Sequence, residues 1–305
     1  MDWETDFANL LVVFAPIGGF RAVGRAFQKL AVACGARIKF NTTVTQVNEK
    51  GVHYIGSEKN TSDEGFIEAD LIVVNADLPY ATRSIVSSLE GTTEYSTKKP
   101  NQETYDWDDS YDFSSGVVAF HWCIDKRLDI LNTHNVFLAA SDRAEAEKSW
   151  RVLRDNPPIV DTSKMEISEP FNFYVHRAVK TDLTAAPEGC DSIMVLVPCP
   201  TLMRNEMYGN LSRKESIEYY KSQFSQTYVR QMRDAVIKRL EILDDLRGLK
   251  SHIIEEVIDT PGSYADFYNV GAGVPFGLVS NLTHVRFNII YLESLNMNSY
   301  YLKKF

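Results

Sequence analysis

A run of four branched apolar residues, Leu71-Ile72-Val73-Val74, lies inside "IEADLIVVNADLP" and gives way to Asn75, Ala76 and Asp77 before Pro79. A strand with one wet face alternates apolar with polar residues, whereas an unbroken branched run asks for cover on both faces, the condition of an inner parallel strand in an α/β layer. The preceding elements suit that layer. From Gly19 to Gly35, Phe20, Val23, Phe27, Leu30, Ala31 and Cys34 recur at helical spacing, with Arg21, Arg25, Gln28 and Lys29 between them, and Gly35 closes the helix. "RIKF" and "TTVTQVNE" read as short strands broken at Asn41, and "GVHYIG" as the return arm of a hairpin. The fold class expected is therefore mixed α/β.

The chain has 305 residues, of which 44% are hydrophobic and 11% aromatic, enough for one large core or two moderate ones. Its formal net charge of -9, with no stripe of Lys and Arg, argues against a nucleic-acid partner. Cys34, Cys123, Cys190 and Cys199 form no CxxC pair and are too few for a disulfide scaffold, which favours a reducing compartment. "LLVVFAPIGGF" is broken by Pro16 and two glycines and is shorter than the ~20 residues of a spanning helix. Asp2, Glu4 and Asp6 stand where a targeting peptide is basic, so no targeting segment is visible. The Asn-x-Ser/Thr triplets at Asn41, Asn60, Asn210 and Asn281 are expected by chance in such a composition.

Residues 86–112 are polar, turn-rich and acidic toward their end, and mark a boundary. The acidic run Tyr105 to Asp112 lacks the Gly and terminal Glu of a calcium loop and reads as a solvated surface. Beyond it, "FSSGVVAFHWCID" and "NVFLAA" read as strands and "DRAEAEKSWRVLRD" as a helix capped by Asp142 and stopped by Pro157-Pro158. "FNFYVHRA" and "CDSIMVLVPCP" read as two strands joined by the turn "APEG". Lys214–Leu246 carries a helical apolar repeat, "HIIEEVID" is a last strand, and Pro261 opens a helical turn.

Few motifs carry chemistry. "GAGVPFG" has Phe276 at the third glycine position and Pro275 where a helix should start, which argues against a phosphate loop. "GGFRAVG" serves equally as a plain turn and cap or as a place where backbone approaches a ligand closely. His53, His121, His134, His176, His252 and His284 show no HxxxH or HExxH spacing, so no metal site is expected. No GxSxG elbow or nucleophilic cysteine signature occurs. Val118, Phe120 and Trp122 share one pleated face, either as core or as the lining of a lipid tunnel.

Taken in order, several segments resemble the phytoene desaturase group, the carotenoid desaturases of the FAD-dependent amine oxidase superfamily. "PIGGFRAVGRAFQKLAVACGARIKFNTTVTQV" is similar to that family's Gly-Gly-helix-strand unit, and "IEADLIVVNADLP" to the strand and polar turn that follow it. "FSSGVVAFHWCIDKRLD", "HNVFLA" and "LTAAPEGCDSIMVLVPCP" resemble strands of its substrate domain, and "TPGSYADFYNVGAGVPFGL" the segment returning to the flavin. The resemblance implies a partial FAD-binding α/β domain over 12–85, a substrate domain over 86–260 with a mixed β-sheet covered by helices, a return segment over 261–280 and an atypical tail over 281–305.

The same resemblance implies FAD as cofactor, with Val44 on its adenine side and the turn Asn75-Ala76-Asp77 near the ligand-binding edge of the sheet. Asn75 and Asp77 could equally serve only to satisfy turn amides. The implied reaction removes hydride from an allylic C–H of a long polyene to flavin N5, with loss of a neighbouring proton, beside an apolar lining that includes Val118, Phe120 and Trp122. No residue is assigned as catalytic base. A hydrophobic polyene partner implies an intracellular, peripheral membrane location, on the plastid membrane in a photosynthetic eukaryote. Retinoid saturation or carotene isomerisation on the same scaffold, and a non-catalytic lipid-binding remnant, stay open. The family's GxGxxG unit and glycine-rich flavin segment have no counterpart at either end, so the chain is expected to be incomplete. Nothing in the sequence fixes an oligomeric state.

Overall fold

The structure, a computed structural model, describes residues 16–58, 61–77, 80–81, 85, 113–139, 142–153, 167, 171–201, 215, 218, 221–222, 224–270 and 273–277. It combines helices with two antiparallel sheets, a mixed α/β architecture. Helix α1 (Gly19–Ala33) leads into β1 (Thr42–Asn48), β2 (Gly51–Glu58) and β3 (Thr61–Glu68), which form one sheet in the order β1-β2-β3. Then come β4 (Gly116–Ile124), β5 (His134–Phe137), α2 (Arg143–Arg151), β6 (Phe173–Arg177), β7 (Asp191–Cys199), α3 (Gln226–Leu240), α4 (Leu249–His252), β8 (Ile253–Asp259) and α5 (Pro261–Tyr268). The second sheet runs β5-β6-β7-β4-β8. Where a mixed sheet was expected, every pairing in it is antiparallel.

The N-terminal elements bear out the helix and the hairpin but correct two strands. Gly35, at φ 89, supplies the left-handed residue that ends α1. The β1–β2 hairpin closes at Asn48, whose Oδ1 accepts the amides of Lys50 and Gly51. "RIKF" is not a strand, and neither is the LIVV run: residues 71–75 form no regular element, with Leu71 65% and Val73 81% exposed. The third strand is the polar "TSDEGFIE", registered on β2 from Gly51↔Glu68 to Glu58↔Thr61. Apolarity announces that a segment wants cover, but pairing decides a strand. Among the described residues no strand pairs with 71–74.

The large sheet carries the core. Along β7 burial alternates strictly, so Ile193, Val195, Val197 and Cys199 face inward while Ser192, Met194, Leu196 and Pro198 are only half-buried. Helix α3 lays Tyr228, Met232, Val236 and Leu240, spaced one turn apart, into that inward face with Phe120, Trp122, Phe173 and Val195. Each such side chain contributes roughly 1.5–3 kcal/mol of burial. Ser225 caps α3 by accepting the Tyr228 amide at 3.2 Å. The expected Asp142 cap is present on α2, accepting the Glu145 amide at 2.9 Å, and α5 opens on a Thr260–Ser263 capping box behind Pro261. The Pro157-Pro158 stop and the acidic run 105–112 lie outside the described residues.

Buried charge pins the end of the large sheet. The Arg177 guanidinium donates to Asp191 Oδ2 at 2.9 Å, Asp129 Oδ1 at 2.7 Å and the Leu131 carbonyl at 3.0 Å, while Asp191 Oδ2 also accepts the Leu128 amide at 2.9 Å. The β4–β5 connection is thereby held against the ends of β6 and β7.

Candidate functional site

The five-stranded sheet has two unlike faces. Its core face holds Val118, Phe120 and Trp122, each no more than 1% exposed and packed in one cluster with α3. The three residues singled out as a tunnel lining therefore sit in the core. The Trp122 indole N–H donates to Glu256 Oε2, and Arg233 Nε donates to the same oxygen at 2.6 Å, which ties β4, β8 and α3 together. A ligand reaching these side chains would have to displace the helix. The physical reason is the pleat, which turns one residue parity of β4 toward α3 and the other away from it.

That other parity forms the accessible face. Register places Val136, Tyr174, Leu196, Ala119 and Asp259 in one row across β5, β6, β7, β4 and β8. The adjacent row is His134, His176, Met194, His121 and Val257. Tyr174, His176, Met194 and Leu196 are half-buried and Val136 is exposed, while Ala119 is fully covered on the side where α5 lies against β4 and β8. The surface thus interleaves Val136, Leu196, Met194, Ala119 and Val257 with Tyr174, His134, His176, His121 and Asp259. Burial holds the Tyr174 hydroxyl above its ordinary pKa and lowers that of His176, where the neighbouring His134 works in the same direction. Both favour neutral side chains. His121 Nε2 lies 3.4 Å from Asp259 Oδ2, across the two rows.

The residues assigned to FAD lie in the small sheet and beside it. Val44 is half-buried on β1, an edge strand that bulges between Val44 and Gln46, and an edge strand offers backbone donors and acceptors along one side. Asn75 and Ala76 are exposed. Asp77 does what turn chemistry alone asks of it: its Oδ1 accepts the Tyr80 amide at 3.1 Å and its carbonyl the Ala81 amide at 2.8 Å. The segment that it starts reaches β1, where the Val47 amide donates to the Ile85 carbonyl at 2.6 Å. Asp77 holds the turn that brings the two segments together.

Sequence reasoning missed the accessible face because its members come from separated strands. The signal available was the strand character of "SIMVLVPC", whose pleat puts Met194 and Leu196 on one side without saying what meets them. Among the described residues no group of three or more His, Cys, Asp and Glu is arranged to hold a metal ion.

Comparison with known proteins bears on what this face is for. No protein-family model matches the chain. The phytoene desaturase of Neurospora crassa is 27% identical over 278 residues, covering 90% of this chain and 41% of that protein. This chain is a homologue of the carotenoid desaturases. The same kinship extends to a zeta-carotene-forming phytoene desaturase of Myxococcus xanthus, 25% identical over 276 residues, 90% of this chain and 44% of that protein. It also reaches a 4,4'-diapophytoene desaturase of Staphylococcus haemolyticus, 23% identical over 269 residues, 87% of this chain and 46% of that protein. This homologue of the carotenoid desaturases spans less than half the length of each of these relatives.

Proposed function

We propose that the chain serves carotenoid desaturation as part of an FAD-dependent oxidoreductase, with phytoene or a close relative as substrate. The observation that carries the reading is the collinear likeness to carotenoid desaturases of differing product over about nine-tenths of the chain. The sheet adds a physical reason. A hydrocarbon offers no hydrogen-bond handles, so it needs apolar contact, which Val136, Leu196 and Met194 offer on the open face.

FAD, when bound, supplies the hydride acceptor for an allylic C–H of the polyene. The chain's own residues hold and orient the substrate: Leu196 and Met194 give van der Waals contact along this face, and Val136 extends it to the open edge. The backbone of β1 near Val44, with Asn75, would hold the adenine end of FAD. Because the substrate resides in lipid, the protein works at a membrane surface. Among the described residues no helix is long and apolar enough to cross a membrane.

The test is incubation of the purified chain with FAD and phytoene, followed by chromatography of extracted pigments and a spectrum of the desalted protein. A flavin spectrum retained by the protein together with products of longer conjugation supports the reading. Phytoene bound without flavin or product would instead make the chain a lipid-binding module.

A further inference from the structure

We propose that His134 and His176 form a two-imidazole site for a borderline divalent cation of the zinc class, on the outer edge of the large sheet. The pair lies on the same open face as Met194 and Leu196, and its test needs neither flavin nor polyene.

The geometry comes from strand register. His134 on β5 stands directly opposite His176 on β6. The Arg177 amide donates to the Thr133 carbonyl at 2.9 Å, so Thr133 and Arg177 are a hydrogen-bonded pair and the next pair along, His134–His176, is a non-hydrogen-bonded one. In such a pair the α-carbons approach most closely and the side chains leave the sheet side by side. The ring centres are 5.3 Å apart and the planes inclined by 38°. With metal–nitrogen bonds of about 2.0–2.1 Å and ring centres about 1.1 Å behind the nitrogens, two imidazoles at a tetrahedral angle stand about 5 Å apart. The observed spacing therefore admits one ion between the rings with little movement.

His134 also has the kind of outer partner that metal-ligating histidines use. His134 Nδ1 is hydrogen-bonded to Tyr174 Oη, and with that nitrogen's proton donated to the phenol, Nε2 carries the free lone pair. His176 is half-buried beside the backbone at Thr133. His134 is exposed, which gives the ion an entry path and leaves its remaining positions to water. Imidazole nitrogen selects zinc, copper, nickel and cobalt over magnesium or calcium. A bound ion would clip β5, only four residues long, onto β6, and so close the edge of the sheet.

The experiment is calorimetric titration of the tag-free full-length chain with zinc chloride, with Co2+ absorption as a second probe and thermal unfolding with and without zinc. One saturable site is expected, together with a zinc-dependent rise in the unfolding midpoint. His134→Gln and His176→Gln should each weaken binding at least tenfold and remove the rise, and Tyr174→Phe should weaken it about tenfold. His252→Gln should change nothing. Circular dichroism shows whether each variant folds, and the exposed His134 makes His134→Gln the safest of them. No saturable binding by the parent at millimolar zinc, or equal binding by folded His134→Gln, would overturn the site.

Discussion

Arg177 and Asp191 face each other at the end of the β6–β7 pair, both side chains wholly excluded from solvent and 2.9 Å apart. Removing one charge of a buried pair leaves the other uncompensated, at a cost of about 3–5 kcal/mol. Asp191→Asn and Arg177→Met should each lower stability to urea by that order, and the double variant by less than their sum. Equilibrium unfolding of the three proteins measures the coupling. Additive losses would show that the two side chains act independently.

Acid should weaken the fold through two carboxylates. Thr184 and the Gly18 amide hold Asp182 below the usual carboxylate range, the Gly18 bond being 2.6 Å long. Arg177, then Arg127, do the same for Asp129. A carboxylate with a depressed folded-state pKa adds stability above its unfolded value, near 4, and loses it as pH falls through the folded one. Urea midpoints should therefore fall from pH 5 toward pH 2, and Asp182→Asn should flatten that limb. In the same variant, amide exchange should quicken at Gly18 and Gly19, where Asp182 meets the start of α1.

Tyr228 tests the core from the other side. Its hydroxyl is fully buried with no hydrogen-bond partner among the described residues, and burial, with Cys199 nearby, pushes its pKa up to about 12. An unsatisfied buried hydroxyl costs about 1–3 kcal/mol, so Tyr228→Phe should raise stability by up to that amount. A lower midpoint in thermal unfolding would mean that the hydroxyl does have a partner.

Gly273 stands at φ +64, and a β-carbon there would meet the Pro261 carbonyl oxygen at 2.3 Å. Gly273→Ala combines left-handed strain of about 1–2 kcal/mol with a backbone clash, and should loosen α5 against β4. Faster proteolysis near residues 261–277 is the expected readout.

The elements legible in the sequence were those whose local pattern matches their burial. The strand at β7, the four-residue apolar spacing of α3 and the Asp142 cap all come from local signals, and the structure shows each. What failed was long-range. β3 is a strand because it registers on β2, not because "TSDEGFIE" is apolar, while the LIVV run has the composition of a strand and no partner among the described residues. Val118, Phe120 and Trp122 were read as one face correctly, but which of two faces meets α3 is not written in either strand alone. His134 and His176 show no ligand spacing in sequence because antiparallel pairing, rather than a helical turn, brings them together.

The most direct measurement is phytoene retention by the purified chain from detergent micelles, quantified after extraction, in variants of the two sheet faces. Leu196→Asp with Met194→Asp, on the half-buried face, should cut retention at least tenfold while the unfolding midpoint moves little. Phe120→Leu, on the α3 face, should lower the midpoint and leave retention intact at temperatures where the protein is folded. Undiminished retention by the Asp variant, or its loss in folded Phe120→Leu, would place the polyene elsewhere and contradict the assignment of the open face.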